Sequence, residues 1–91
     1  MNTPKTDEGI LLENISKLHT TTLGVERIKN NTGLSVKKIE NLILNRDCII
    51  TRIGKNYYCE TKDVIITINA HNYCIITAHK KHWQNIDKNI L

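Results

Sequence analysis

The sequence predicts an α+β domain in which helices precede an antiparallel sheet. Apolar residues recur at helical spacing up to about residue 45. From Cys48 onward they fall instead into short runs rich in isoleucine, valine, threonine and tyrosine, which is typical of strands. Polar breaks divide this second part into four runs. We therefore expect two or three helices, then a four-stranded antiparallel β-meander, and a short C-terminal helix after it.

The first helix is expected over about residues 7 to 19. Its apolar residues recur at helical spacing: Ile10, Leu11, Leu12, Ile15 and Leu18. Thr3 and Pro4 offer a helix start, because threonine can cap and proline at the first helical position loses no hydrogen bond. Thr6 is the competing N-cap. His19 and the threonines after it end the pattern.

Two more helices are predicted between residues 22 and 45. Thr22 can cap the second helix, and Gly33 can end it as a C-terminal glycine. Ser35 can cap the third helix, which runs from Val36 to about Asn45. The apolar residues of the third helix lie on one side, so we expect the helices to cover one face of the sheet.

Four strands are predicted after the helices. Residues 48–53 and 57–60 form the first pair, around a turn at residues 54–56. Residues 64–69 and 73–79 form the second pair around a short polar loop. The expected C-terminal helix would follow Lys80, with an apolar side formed by Trp83, Ile86, Ile90 and Leu91.

The second pair of strands sets the expected register. A three-residue loop with Asn72 at positive φ would pair Asn69 with Tyr73. The face toward the helices would then carry Val64, Ile66, Ile68, Cys74, Ile76 and Ala78. The opposite face would carry Ile65, Thr67, Asn69, Tyr73, Ile75, Thr77 and His79. A shift by one residue would mix the two sets, so the pattern favours this pairing.

Length, charge and cysteine content narrow the class of protein. The 91 residues suffice for a single domain, 1–91, with one modest core, and we expect residues 1–6 and 84–91 to be loosely ordered. The formal net charge of +4 permits an anionic partner. No signal-peptide pattern and no apolar run of membrane-spanning length is seen. The three cysteines lack C-x-x-C spacing, which predicts reduced thiols in a cytoplasmic protein and no metal site. We also expect no cofactor and no association with a membrane.

Three segments carry a resemblance to a known family. They are residues 23–31, 53–58 and 66–80, which read LGVERIKNN, IGKNYY and ITINAHNYCIITAHK. They resemble a family of small bacterial proteins known only as a domain of unknown function, over about residues 10 to 81. The order of elements and the run Ile75-Ile76-Thr77-Ala78 are also similar to the barnase, colicin and RelE-like group of ribonuclease and toxin domains. The first resemblance implies a fold and no catalytic residue.

The polar sheet face predicts an RNA-directed protein, with metal-independent ribonuclease activity as the most specific form. Such cleavage needs a base at the 2′-hydroxyl, an acid at the departing 5′-oxygen and donors for the phosphorane. His79 is the candidate acid or base because histidine titrates near neutral pH, and Tyr73 and Thr77 are candidate donors. The expected nucleic-acid contacts are Arg52, Lys55, Asn69, Lys80 and Lys81. A solvated structural surface is the simpler explanation of the same residues, since threonine is common on exposed strands.

Two further classes of function stay open. Residues 25–44 read as a helix–turn–helix, with Lys37 and Lys38 toward DNA and the first strand pair as a wing. Lys29 argues against this motif, which normally holds a small side chain four residues before the turn glycine. A protein-binding adaptor or inhibitor is the third class. The expected partner is therefore RNA, with DNA or another protein as alternatives.

Overall fold

A computed structural model describes residues 6–81 of the 91-residue chain. The elements are α1 (Asp7–Glu13), a 3₁₀ turn (Ile15–Lys17), α2 (Thr22–Thr32), α3 (Val36–Leu44), β1 (Ile49–Ile53), β2 (Asn56–Glu60), β3 (Val64–Asn69) and β4 (Ile75–Lys80). The strands form one antiparallel sheet in the order β1-β2-β3-β4. The predicted α+β class and the four-stranded meander are confirmed. The predicted C-terminal helix and the expectations for residues 1–5 and 84–91 lie outside the described residues.

Each α-helix begins at a hydroxyl side chain that caps its first turn. The hydroxyl oxygen accepts a hydrogen bond from the amide three residues on, at 3.0–3.2 Å: Thr6 from Gly9, Thr21 from Gly24 and Ser35 from Lys38. The predicted cap of α2, Thr22, is therefore one residue too late. Gly33 ends α2 in the left-handed conformation, with φ of 76°.

The first helix is shorter than predicted. It ends at Glu13, and the side-chain amide of Asn14 donates to the Ile10 carbonyl at 2.8 Å. A 3₁₀ turn then carries the chain to Leu18. Leu11 and Leu18 are both buried, so the apolar spacing identified the right side of the segment although one continuous helix does not form.

The three helices share one core with a single face of the sheet. Its buried members are Leu11, Leu18, Ile28, Ile39, Ile43, Cys48, Tyr57, Cys59, Val64, Ile66, Ile68, Ile75 and Ala78. The outer edge of β4 is covered by the chain before and within α2. The Ile75 amide donates to the His19 carbonyl at 2.8 Å, and the Asn31 side chain donates to the Ala78 carbonyl at 3.3 Å. These bonds fix β4 against the helical layer.

The first hairpin turns through two residues, Gly54 and Lys55, where the sequence predicted three. Ile53 pairs directly with Asn56, and Gly54 has φ of 61°. Positive φ at the first central residue is typical of a type II′ turn, which glycine favours. The register places Tyr57 in the core, at 1% exposure, and Tyr58 on the opposite face.

The second hairpin has a longer loop than predicted. The Asn69 amide donates to the Cys74 carbonyl at 2.9 Å, so four residues form the loop. Tyr73 has φ of 60°, and the prediction of positive φ at Asn72 was wrong. The Asn69 side-chain oxygen accepts hydrogen bonds from the amides of His71 and Asn72 at 2.8 and 3.1 Å. These side-chain bonds stabilise the longer loop.

A β-bulge in β4 corrects the register farther from the loop. Ile68 pairs with Ile75, but Thr67 pairs with Thr77, so Ile76 is the extra residue. Ile75 is therefore buried at 2% exposure, whereas Ile76 is 48% exposed. The prediction had placed these two residues, and Cys74, on the wrong faces. The longer loop shifts the register by one residue and the bulge by a second, so Thr77, Ala78 and His79 keep their predicted faces.

None of the helices within residues 6–81 combines the length and the apolar character needed to cross a bilayer.

Candidate functional site

The candidate site is the sheet face turned away from the helices, here named the open face. It consists of Ile49, Thr51, Ile53, Asn56, Tyr58, Glu60, Ile65, Thr67, Asn69, Thr77 and His79. The buried side chains of the helices belong to the core on the other side. Every side chain of the open face is half-buried or exposed.

Tyr58 lies at the centre of the open face. It pairs with Thr51 on one side and Thr67 on the other, and Thr67 pairs in turn with Thr77. The Asn56 side-chain nitrogen lies 3.3 Å from the Tyr58 hydroxyl and donates to it. A row of three threonines and one tyrosine therefore crosses all four strands.

The side-chain oxygen of Asn56 is a buried acceptor beside this row. It receives no hydrogen bond from any residue in the described part of the chain. A buried acceptor without a partner costs about 1–3 kcal/mol. Because this oxygen is buried, Asn56 acts on the open face through its side-chain nitrogen, which donates to the Tyr58 hydroxyl.

A second row contains acid–base groups. Glu60 and His79 both pair with Ile65, one from each side. Their backbones therefore lie two strand spacings apart, about 9–10 Å. The Lys81 ammonium lies 2.6 Å from the Glu60 carboxylate, and the Lys81 amide donates to the Asp63 carbonyl at 3.0 Å. A carboxylate, a cation and an imidazole are thus grouped along one end of the open face.

The helix side of the sheet holds the predicted site residues Arg52 and Tyr73. The Arg52 side chain donates to the Gly54 carbonyl at 2.8 Å, and its guanidinium lies 5.4 Å from the centre of the Tyr57 ring. Tyr73 packs against the core, with the Lys17 ammonium 5.9 Å from its ring centre. The prediction that Tyr73 shares a face with Thr77 and His79 is wrong, because the four-residue loop turns the ring toward the helices.

The remaining predicted contacts divide by their role. Thr77 and His79 are exposed on the open face, and Lys55 is exposed in the turn at its end. Lys80 is exposed but pairs with the buried Val64, so its side chain lies on the helix side. Asn69 faces the open side, but its side-chain oxygen is engaged by the amides of the loop. These placements leave Thr77, His79 and Lys55 able to contact a ligand.

The residues proposed for DNA contact lie on a separate surface. Lys37 and Lys38 are exposed in the first turn of α3, and the Lys37 ammonium lies 3.8 Å from the Glu40 carboxylate. Lys29 is exposed on α2. This helical surface carries cations without an aromatic side chain, which distinguishes it from the open face.

Sequence reasoning missed Tyr58, Thr51 and Glu60 as members of the site. All three belong to the first hairpin, and their face depends on the length of its turn. Gly54 followed by Lys55 was the available signal, since a glycine at the first position of a two-residue turn favours type II′. Within residues 6–81, no three side chains of the types that bind metals are grouped closely enough to form a metal site.

The comparisons with known proteins identify a family and no activity. The model of the family described as "Protein of unknown function (DUF3781)" matches residues 12–79. No curated protein and no solved structure matches the chain at a significant level. The looser resemblance to ribonuclease and toxin domains therefore has no support from these comparisons. Because the matched residues include most of the helical layer and all but the last residue of the sheet, the chain belongs to the DUF3781 family.

Proposed function

We propose that the open face binds single-stranded RNA. The observation that carries this proposal is Tyr58, an aromatic residue at the centre of a sheet face with the small side chains of Thr51 and Thr67 beside it. Unpaired bases stack on aromatic side chains presented in this way, and one such stack contributes about 1–3 kcal/mol. Because the threonine side chains on both sides are short, a base has room to stack on the Tyr58 ring.

Polar groups around Tyr58 suit the edges of a base and the ribose. Thr51, Thr67 and Thr77 supply hydroxyls that both donate and accept hydrogen bonds. The Asn56 side-chain nitrogen donates to the Tyr58 hydroxyl at 3.3 Å and so orients the ring. Hydroxyl groups also suit the ribose 2′-hydroxyl, which distinguishes RNA from DNA.

An exposed cationic side chain lies at the end of the open face where β1 turns into β2. It belongs to Lys55, in the turn between these strands. A strand that stacks on Tyr58 would reach this ammonium group through a phosphate. For one such contact, the slope of log affinity against log salt is expected to be about −0.7 for a single strand.

Binding is tested by fluorescence anisotropy with a labelled, unstructured RNA of about ten nucleotides. Tyr58→Leu should weaken binding about 5- to 150-fold, the equivalent of one lost stack. Lys55→Ala should remove most of the salt dependence. Lys38→Ala is the matched control, because it removes the same charge from α3 and should leave RNA affinity unchanged.

The same measurement separates the other classes of partner. If the α3 variant weakens binding to duplex DNA while Tyr58→Leu has no effect on RNA, the helix–turn–helix interpretation replaces this proposal. If neither nucleic acid binds, a protein-binding adaptor becomes the better account. The exposed Ile49 and Ile53 on edge strand β1, at 64% and 62%, would then be the first surface to examine.

Cleavage of the bound RNA is a second candidate function, favoured by the row that contains Glu60 and His79. In this scheme the Glu60 carboxylate takes the proton of the 2′-hydroxyl, and the His79 imidazolium protonates the departing 5′-oxygen. The products would be a 2′,3′-cyclic phosphate and a 5′-hydroxyl. Lys81, beside Glu60, would lie close to the negative charge that develops on the phosphorane.

Cleavage is measured separately from binding, in the presence of EDTA. His79→Ala should abolish product formation and keep its affinity for an RNA whose 2′-hydroxyls are methylated. His71→Ala is the control, because His71 is an exposed histidine in the loop and not on the open face. Equal cleavage by wild type and His79→Ala would reject the catalytic scheme and leave the binding proposal standing.

A further inference from the structure

Two of the three cysteines meet in the core. Cys59 in β2 pairs with Ile50, and Cys48 lies two residues before Ile50 on the same side of the sheet. Both thiols are buried, at 6% exposure for Cys48 and 0% for Cys59. Diagonal positions of this kind bring the two side chains together on the core face of the sheet. Cys74 lies apart from them and contacts the Ile75 carbonyl.

The contact makes the two thiols chemically different. The hydrogen bond from Cys59 lowers the pKa of Cys48, although burial and the charge of Glu8 act in the opposite direction. Donating this bond raises the pKa of Cys59, and burial raises it further. Since the thiolate is the reactive form of cysteine, Cys48 is the nucleophile of the pair and Cys59 keeps its proton.

A cavity leads to Cys48. It has a volume of about 150 Å³ and is lined by Leu42, Asn45, Asp47, Cys48, Thr61, Lys62 and Asp63. The lining includes both polar and apolar surface, so the cavity can admit a small molecule such as a hydroperoxide. Cys59 does not line the cavity. A small oxidant that enters therefore reaches Cys48 before Cys59.

We propose that Cys48 and Cys59 form a redox-active thiol pair that reacts with small hydroperoxides and closes to an intramolecular disulfide. The Cys48 sulfur attacks the O–O bond, which breaks to give Cys48 sulfenic acid and an alcohol or water. The Cys59 sulfur then attacks the Cys48 sulfur, and the departing hydroxide leaves as water with the Cys59 proton. Two thiols lose two electrons in total, and the hydroperoxide gains them.

Closure requires a small movement of the chain. Diagonal residues of a regular antiparallel pair have Cα atoms about 7–8 Å apart, whereas disulfides form at about 4.4–6.8 Å. Cys48 precedes β1, and its amide donates to the Asn45 carbonyl in a turn. It is therefore outside the β1–β2 ladder and can approach Cys59 without breaking strand pairing. A disulfide closed in this way is strained and should be readily reduced.

The proposal is tested on the full-length chain, reduced and then exposed to hydrogen peroxide. Free thiols are blocked, the protein is reduced, and the newly released thiols are labelled and located by mass spectrometry. Cys48 and Cys59 should be lost together, with the mass of one intramolecular disulfide, before Cys74 reacts. This order is diagnostic because Cys74 is more exposed than either member of the pair.

Single variants assign the steps. Cys59→Ser should stop at a sulfenic acid on Cys48, trapped by dimedone, and Cys48→Ser should leave Cys59 reduced. Cys74→Ser is the matched control and should oxidise as wild type does. Oxidation of Cys74 ahead of the pair, or a disulfide only between chains, would overturn the proposal. The wild-type result decides the question even if a core variant fails to fold.

Discussion

Because of the bulge in β4, we expect two neighbouring isoleucines to contribute very differently to the free energy of unfolding. Ile75 is buried at 2% exposure, and Ile76 is 48% exposed. Changing isoleucine to alanine removes three carbon atoms, worth about 2.4 kcal/mol at about 0.8 kcal/mol per buried carbon. At Ile75 the cavity left behind brings the total to about 2–5 kcal/mol. At Ile76 about half of the transfer term applies and no enclosed cavity forms, so the cost should be about 1 kcal/mol.

Urea unfolding followed by circular dichroism measures both costs. With a slope of about 1 kcal/mol per molar urea for a small domain, Ile75→Ala should lower the midpoint by about 2 M or more. Ile76→Ala should lower it by about 1 M or less. The two variants lose the same atoms from adjacent positions, so each is the control for the other. An equal or larger cost at Ile76 would refute the bulge and favour pairing of Asn69 with Tyr73.

Three further outcomes follow from the packing. Gly24→Ala should lower the midpoint of thermal unfolding, although alanine favours helices. The added methyl group would collide with the Thr20 hydroxyl, which donates to the Ile75 carbonyl at 3.1 Å. A stabilised variant would contradict this contact. Gly33→Ala should cost about 1 kcal/mol, since Gly33 has φ of 76° and alanine disfavours that conformation; an unchanged midpoint in urea would show that α2 ends differently. Burial raises the pKa of Tyr57 above its ordinary value of 10.0, so the folded state keeps this proton more tightly than the unfolded state. The contribution of Tyr57 to the free energy of unfolding is therefore fully present below its ordinary pKa and is lost as pH rises through the pKa of the folded state. Tyr57→Phe should reduce the decline in stability above about pH 10, and an identical decline in both proteins would exclude this cause.

Local signals in the sequence predicted the order and type of the elements. Hydroxyl caps marked the start of each helix, and Gly33 marked the end of α2, within one or two residues, because capping depends on side chains next to the helix end. The end of α1, which has no such glycine, was predicted six residues too late. The change from helical spacing to β-branched runs marked the sheet. These features are decided by neighbours in the chain, so the confirmed fold class was readable without the structure.

The register of the second hairpin was not readable from local pattern. It depends on Tyr73 at positive φ, a conformation that costs a residue other than glycine about 1–2 kcal/mol. Packing of the Tyr73 ring against the core and near Lys17 opposes that cost. The bulge is fixed in part by two hydrogen bonds of Ile75: its amide donates to the His19 carbonyl, and its carbonyl accepts from the Thr20 hydroxyl. Both influences come from distant parts of the chain.

Only part of the candidate site was predicted, because the face on which each residue lies also depends on the register. Thr77 and His79 lie beyond the bulge, where two register shifts cancel, and they remain on the open face. The face of the sheet on which Arg52 or Tyr58 lies depends on the length of the first turn. A two-residue turn sends Arg52 to the helix side and Tyr58 to the centre of the open face, which replaces a predicted cation by an aromatic ring.

The most direct test of the open face as an RNA-binding surface is an NMR titration of the ¹⁵N-labelled protein with a short single-stranded RNA. Binding at this surface predicts chemical-shift changes that centre on Thr51, Tyr58, Thr67 and Thr77 and weaken toward the helices. Changes confined to residues 25–44, or no changes at all, would contradict it.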